Sequence, residues 1–359
     1  MSACVSMRRT VSVAYSYFAM PASLQSIAKK CGVSIATVSR AMAGRGYVRA
    51  ELKKKIQREA TRLGYKRNHL VGDIMAHVRN GRSQVFVGNL AIIHVPSPSE
   101  PKIGSQLKRI IDSTCIRAAE LGFHADLFTL GSTPQDERAL TRVLRARGVG
   151  GALFVYPGPS ELPHSFPWED FSSVALDYAH REIRLNTICH DHFSTLKLAL
   201  ARLTAAGYRR IGLFIERFKD ERTDFRWSAA FQSFHYSAGG EQFVPLCSPD
   251  VMTEAVFLKW YRQHRPDVVI GHFDQAVGWL KRAGVRVPRD VGFFSLNWEA
   301  RSIPCAGVDP QLELQGRLAA EALINQLRHG ERGVPAHPQL MALRGRLVDG
   351  PTVRGTEMG

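Results

Sequence analysis

The chain has 359 residues, 45% hydrophobic and 22% charged, a balance that suits globular domains with cores and excludes a fibre or a disordered chain. Charged residues interrupt every apolar run before the roughly 18 residues needed to span a bilayer, and the length allows two or three domains. The formal charge of +16 is segregated: residues 21–82 hold 14 Lys and Arg against 3 acidic residues, whereas residues 83–359 hold 32 against 29. Such concentration in one small N-terminal unit is the footprint of a polyanion binder. The six cysteines, Cys4, Cys31, Cys115, Cys189, Cys247 and Cys305, form no CxxC pair, and a chain of this size needs no disulfide staples, which suits a reducing cytoplasm.

In chain order, residues 1–20 are expected to be an extension, disordered or outside the native protein, with Met20 as the native start; Arg8 and Arg9 before VSVAYSYFAM imitate a secretory leader only superficially. Residues 21–65 read as three helices. Leu24, Ile27, Ala28 and Cys31 share one face of the first, which Gly32 stops. Ser34 is a good N-cap for the second, whose inward positions are Val38, Ala41, Met42 and, in part, Thr37; Gly44 and Gly46 punctuate its end. The third, from about Ala50 to Gly64, turns Leu52, Ile56, Ala60 and Leu63 inward and Lys53, Lys54, Lys55, Arg58 and Arg62 outward. The first two helices, joined at Cys31-Gly32-Val33, make a helix-turn-helix whose second helix fits a DNA major groove.

Residues 66–84 form a hinge or linker in which Leu70, Val71, Ile74, Met75 and Val78 keep helical spacing. From residue 85 onward, strand candidates at 85–93, 150–156, 173–178, 210–215, 267–271 and 290–296 alternate with helices at 104–121, 135–147, 193–206 and 312–328. That alternation predicts an α/β core with doubly wound parallel sheets, in which a ligand sits at the carboxyl ends of the strands.

The segment SLQSIAKKCGVSIATVSRAM (23–42), followed by IQREATRLGYKRN (56–68), closely resembles the lactose/galactose repressor family of bacterial regulators, and AGYRRIGLF (206–214), RPDVVIGHFDQA (265–276), VRVPRDVGFFSLNW (285–298) and AGVDPQLELQGRLAAEAL (306–323) extend the likeness. The resemblance implies an N-terminal all-α helix-turn-helix domain (21–65) and a periplasmic-binding-protein-like core (85–359) of two subdomains crossed three times by the chain. Their expected extents are about 85–189 with 299–328, and about 190–297 with 329–359. It also implies a cytoplasmic, nucleoid-associated homodimer on a pseudo-palindromic operator, with a small carbohydrate-like effector and no cofactor.

On the second helix Ile35, Ala36 and Arg40 project outward at positions that similar proteins aim at base edges. The Arg40 fork can pair with guanine O6 and N7 together; Ile35 and Ala36 can meet only apolar features such as a thymine methyl. Ser34, Thr37 and Ser39 are hydroxyl donors suited to phosphate, as are backbone amides near Leu24. Ser34 can equally be a cap, Thr37 a packing residue and Arg40 a solvated charge; charge segregation and the intact motif favour DNA. Asn68, which closes LGYxxN, joins the expected DNA contacts. By resemblance the connector enters the minor groove with Ile74 as wedge and Val71 against the partner chain, although Arg67 replaces a usual proline, Gly72 weakens the helix and Asp73 brings negative charge.

HExxH, GxSxG and GxxxxGK[ST] are missing, and Gly148, Gly150 and Gly151 lack dinucleotide spacing, so no enzyme is expected. Cys189-His190-Asp191-His192 has the composition of a metal site, but its ligands lie too close together for one ion unaided, and no metal is expected. The resemblance places an effector cleft at strand ends. There Tyr156, His190, Asp191, His272, Asp274, Asn297 and Trp298 are candidates, with Arg226 of RWSA (226–229) or Arg222 as the gripping arginine. Trp298 can stack on a sugar ring while carboxylates and amide take its hydroxyls; core packing competes for Trp298 and His190. Phe273 stands where relatives have Asn, which leaves the ligand open. A ligand-responsive regulator leads, ahead of a regulator without effector and, remotely, a carbohydrate-handling protein.

Overall fold

A computed structural model describes residues 24–43, 48–63, 86–96, 102–155, 163, 165–178, 183–237, 243–299 and 303–355. The expected extension at 1–20, the linker at 66–84, and Gly44, Gly46 and Gly64 lie outside them. The chain divides into two units, residues 1–72 and 73–359.

In the first unit, α1 (Leu24–Cys31), α2 (Ile35–Ala43) and α3 (Ala50–Arg62) pack as a triangle of short helices. Ile27, Val38 and Ile56 are fully buried, with Ala28, Cys31, Ala41 and Ala60 around them. Burying each aliphatic side chain of that size contributes roughly 1.5–3 kcal/mol, so these three largely hold a unit this small together. Gly32 takes φ +72° in the turn between α1 and α2, a left-handed backbone that a side chain would strain. The Val33 amide then donates to the Ala28 carbonyl at 3.1 Å.

The second unit contains two sheets. The first runs in the order β10 (Leu340–Leu343), β5 (Asn186–His190), β4 (Ser172–Leu176), β3 (Val149–Val155), β1 (Gly88–His94), β2 (Phe123–Thr129), with every pair parallel. The second runs β11 (Arg346–Val348), β9 (Ala306–Asp309), β8 (Gly292–Ser295), β7 (Val268–Gly271), β6 (Ile211–Phe214), parallel except that β11 is antiparallel to β9. All residues of β6, β7 and β8 are buried, as expected of parallel strands covered on both faces. The expected strands and helices are present with ends shifted by up to three residues; β2, β5, β9, β10 and β11 were not among the expected elements.

On the first sheet, α4 (Ser105–Glu120) packs along α11 (Leu312–His329). A Cβ on Gly316 would lie 2.1 Å from Ser113 Oγ and 2.3 Å from the Ile110 carbonyl, so only glycine lets these helices approach this closely. Thr114 Oγ1 donates across the seam to the Gly316 carbonyl at 3.1 Å, and the ion pairs Arg109–Glu313 (2.8 Å) and Arg117–Glu321 (2.7 Å) flank it. The remaining helices are α5 (Pro134–Ala146), α6 (His192–Ala205), α7 (Arg217–Arg222), α8 (Arg226–Ser237), α9 (Glu254–His264) and α10 (Gln275–Arg282).

The chain passes between the sheets three times: from β5 into α6 at Asp191, from β9 into α11 at Pro310–Gln311, and from β10 into β11 at Arg344–Gly345. The second and third passages fall later than the sequence suggests, which corrects the subdomain extents. The first-sheet body takes 86–190 and 312–343, and the second-sheet body takes 192–309 and 346–353. The reason is that the chain turns back after Leu296 and adds the short strand β9 to the second sheet before it leaves. Strand β10 is a run of four apolar residues, three of them exposed, too short for periodicity to tell strand from helix. Gln311 sits at φ +56°, held by its amide on Asp309 Oδ1 (2.9 Å) and its Nε2 on the Arg344 carbonyl (2.7 Å). The strained backbone thus tethers one passage to another.

Candidate functional site

Two surfaces qualify, one in each unit. On α2, Ile35 is 48% exposed, and Ala36 and Arg40 beside it are exposed too. Arg40 Nε reaches back to the Ala36 carbonyl at 3.3 Å and, among the described residues, makes no other hydrogen bond or ion pair, so its terminal N–H groups are available to a base edge. Ser34 Oγ accepts the Thr37 amide at 3.1 Å and shares a 2.9 Å hydrogen bond with Thr37 Oγ1. Ser34 therefore caps α2, and a phosphate contact from either hydroxyl comes on top of that local role. Leu24 opens α1 and Ser39 lies within α2. Asn68, Val71 and Ile74 lie outside the described residues.

The second surface is a cavity of about 470 Å³ inside the larger unit, at the carboxyl ends of the strands where a doubly wound sheet leaves its crevice. Strand β5 ends on His190, α6 begins on His192, and β7 is followed by His272; all three line it with Trp227 of α8. The rings form one cluster: His190 to His192 4.7 Å, His192 to Trp227 4.8 Å and Trp227 to His272 5.7 Å between centroids. Burial pushes the His190 imidazole down to about 4, partly opposed by the Pro310 carbonyl and by Asp177, Asp191 and Asp309. Burial also holds His192 and His272 well below the ordinary range, reinforced for His192 by His190, Arg222, His272 and Arg226, and for His272 by Lys219, Arg222 and His190. All three rings are therefore neutral near pH 7, each offering one donor and one acceptor. Neither ring nitrogen of His190, and neither Nδ1 of His192 and His272, finds a hydrogen-bond partner of regular geometry. Unsatisfied polar atoms buried in a cavity wall are what a bound polar molecule would satisfy.

Around this cluster stand Asp177, at the end of β4 with φ +70°, and Arg222, whose Nη1 lies 3.3 Å from its carboxylate. The α7–α8 turn explains why Arg222 and Arg226 part company. Buried Asp220 accepts the Phe225 amide on its carbonyl and the Ser228 amide on its carboxylate, and Asp224 and Phe225 both adopt positive φ. Arg222 then lines the cavity, whereas the Arg226 guanidinium stacks 4.0 Å from the Tyr178 ring, lining a separate recess with Asp224.

Of the sequence candidates, the structure brings His190, Arg222, His272 and Asn297 to the cavity wall. It does not place Asp191, Arg226, Asp274 or Trp298 there. Asp191 caps α6 by accepting the Ser194 amide at 3.0 Å, which ties its carboxylate to the helix end. Asp274 accepts Ser295 Oγ at 2.9 Å, and Trp298 packs against the core of Phe257 and Phe293, the bland alternative for that ring. Tyr156 lies outside the described residues. Sequence reasoning missed Asp177, His192, Lys219, Trp227, Gln315 and the start of α4. Asp177 ends a recognised strand, so the strand-end rule pointed to it; His192 was set aside with the metal-like cluster; Gln315 carried no signal. Among the described residues no group of three or more His, Cys, Asp or Glu is arranged to hold a metal ion, and no helix is long and apolar enough to cross a membrane.

Comparison with known proteins bears on both surfaces. Residues 23–68 match the family described as bacterial regulatory proteins, lacI family, and residues 200–353 match a periplasmic binding protein-like domain. The HTH-type transcriptional regulator YkvZ of Bacillus subtilis (strain 168) is 26% identical over 349 residues, covering 92% of this chain and 100% of its own. The chain is similar to lacI-family regulators, through the family match of its helix-turn-helix and through relatives aligned along nearly its whole length. Among solved structures, a complex of the transcriptional regulator CelR with cellobiose has TM-score 0.57 at 19% identity, over 92% of this chain and 99% of its own. The lac repressor dimer bound to operator and the anti-inducer ONPF has TM-score 0.56 at 18% identity, over 93% and 100%. With a regulator-family helix-turn-helix match over residues 23–68 and transcriptional regulators among its relatives, the chain is a DNA-binding transcriptional regulator and not an enzyme.

Proposed function

We propose that this regulator is a repressor that grips a pseudo-palindromic operator as a cytoplasmic homodimer, and that a small polar ligand in the cavity of the larger unit changes its affinity for that DNA. The ligand is a sugar or sugar derivative. The observation that carries this reading is the cavity itself: about 470 Å³, within the range of small-molecule sites, and walled by buried polar atoms without partners. All three chain passages run beside it: His190 precedes the first, Pro310 lies in the second, and Gly345 of the third would bring a Cβ within 2.8 Å of His190 Cε1. A ligand that binds one arrangement of the two bodies better than the other biases that arrangement by the difference. The cellobiose complex of CelR supports a sugar by analogy.

In this reading His190, Arg222, His272 and Asn297 touch the ligand, Asp274 holds Ser295, Asn68 contacts the DNA, and the linker at 66–84 brings Ile74 to the minor groove with Val71 against the partner chain. Fluorescence anisotropy of labelled promoter DNA, titrated with full-length protein with and without a panel of sugars and sugar derivatives, is the test. A ligand-dependent change in operator affinity, with sedimentation at twice the chain mass, is expected. Operator affinity that no ligand alters would leave a regulator without effector, and a monomer at operator-binding concentrations would remove the homodimer.

A further inference from the structure

The cavity is electrically lopsided. Lys102, Lys219 and Arg222 line it, against Asp177 as the one carboxylate among its described lining residues. Arg222 is paired with Asp177 at 3.3 Å. Lys219 lies 3.5 Å from Glu216 and 4.3 Å from the Phe273 ring centroid, and Glu216 is committed to the Met252 amide at 2.9 Å. From the other body the start of α4 opens into the same space, through Gly104, Ser105, Gln106 and Leu107. This 16-residue helix has glycine at its N-cap, no side-chain cap and no acidic residue in its first turn, so its first amides and the positive end of its dipole face the cavity without a carboxylate of their own helix. Glu299 takes the Ser105 hydroxyl at 3.4 Å but does not line the cavity. Between these two positive walls His190 is 6% exposed, with the Pro310 carbonyl near its ring and neither ring nitrogen in a hydrogen bond of regular geometry.

Building on the reading above, we propose that the ligand is an anionic sugar derivative, whose carboxylate or phosphate is held between the start of α4 and the Lys219–Arg222 side, with its hydroxyls on the histidines and Asn297. A neutral sugar would satisfy the imidazoles but leave Lys102 and the positive end of α4 without an anion in the cavity. An anion converts both into charge-assisted hydrogen bonds. Because the two positive walls belong to different bodies, the same group would draw them together, which gives the ligand the differential affinity that a switch requires.

The test uses full-length protein and matched pairs: glucose against gluconate, glucuronate and glucose 6-phosphate, and ribose against ribose 5-phosphate, followed by thermal midpoint and by tryptophan fluorescence, since Trp227 lines the cavity. At least one anionic member should bind ten-fold or more tightly than its neutral parent, with affinity falling as salt rises; the carboxylate and phosphate arms separate the two sources of charge. Gln106→Glu adds charge at the start of α4 without changing size. It should leave the ligand-free midpoint unchanged or slightly higher and weaken the anion ten-fold or more, as should Lys219→Gln. A neutral parent that binds as tightly as its anion, or an anion indifferent to Gln106→Glu, would overturn the anionic assignment while leaving a ligand-gated regulator intact. A panel that moves neither midpoint, fluorescence nor operator affinity would remove both.

Discussion

The two working surfaces of this molecule are built in opposite ways. The proposed DNA face draws Ile35, Ala36 and Arg40 from six consecutive residues of one helix, with Ser34 capping its start. The cavity draws on the ends of β4 and β5, the starts of α4, α6 and α11, the α7–α8 region and the turns after β7 and β8. A face written in one short segment can be altered residue by residue without disturbing the fold. A cavity assembled from many segments depends on every seam that positions them. The difference predicts that perturbations of the larger unit act on stability and ligand response, while those of α2 act on DNA alone.

Acid should expose this contrast most strongly. The three cavity histidines are held neutral, mainly by burial: His190 at about 4, His192 and His272 well below their usual value. Unfolded histidine titrates near 6.5, so between that pH and about 4 the unfolded chain binds more protons than the folded one. Stability is therefore fully present above pH 6.5 and is lost as pH falls through this window. For His190 alone the loss approaches about 3 kcal/mol. Residues 24–63 contain no histidine, so calorimetry from pH 7 to 4 should show the larger unit melting progressively earlier while the helix-turn-helix transition barely moves. His190→Gln should flatten the slope; an unchanged slope would mean that His190 already finds a partner in the folded state.

Gly316→Ala should come next. The added methyl meets Ser113 Oγ and the Ile110 carbonyl of α4, and backbone cannot yield as a flexible side chain would, so overpacking costs about 1–3 kcal/mol. Urea unfolding should register the loss in the larger unit, and ligand affinity should fall with it because α4 is displaced, whereas operator affinity without ligand is retained. Full stability in this variant would show that the α4–α11 seam is looser than its geometry.

The same contrast explains what was legible in the sequence. The helix-turn-helix was readable to the residue because helix period, cap and glycine turn are local: Ile27, Val38 and Ile56 are inward as their spacing predicts. The parallel sheets were readable from buried runs such as Val268–Gly271, which stay apolar on both faces. Passages between bodies were not, because they are decided by strand pairing. Four residues, Ala306–Asp309, join β8, and nothing in their own sequence announces it. Within the cavity, strand-end position found His190, His272 and Asn297. The same strand-end reasoning also pointed to Asp274 and Trp298, which are taken up by Ser295 and by the core. Lys219 and Gln106 could not be singled out, since a lysine or glutamine on a helix is ordinary until the opposite wall is known.

On the DNA face Arg40→Ala should relax preference at one symmetric base pair, with a loss of about 1–3 kcal/mol in discrimination for a bidentate guanine contact. Competition with operators varied at each position is the measurement. Thermal stability should be unaffected, because the exposed side chain bonds only to its own helix, at Ala36. Uniform weakening across all operator variants would reassign Arg40 from base to phosphate.

The smallest effect is expected at Ile35. Nearly half exposed, it contributes little to the fold, and alanine is a slightly better helix former by a few tenths of a kcal/mol, so Ile35→Ala should melt at the same temperature or marginally higher. Against DNA the side chain can offer only apolar contact, of which part is lost. At roughly 0.8 kcal/mol per buried methylene, partial burial translates to a two- to five-fold weakening. The salt dependence separates this residue from its neighbours: no phosphate charge is involved, so the slope of log affinity against log salt should match that of the wild type. Anisotropy titrations at several salt concentrations give both numbers. A lowered melting temperature would place Ile35 in the packing of its own unit instead, and a flattened salt slope would show that its loss shifts the register of the whole helix on the DNA.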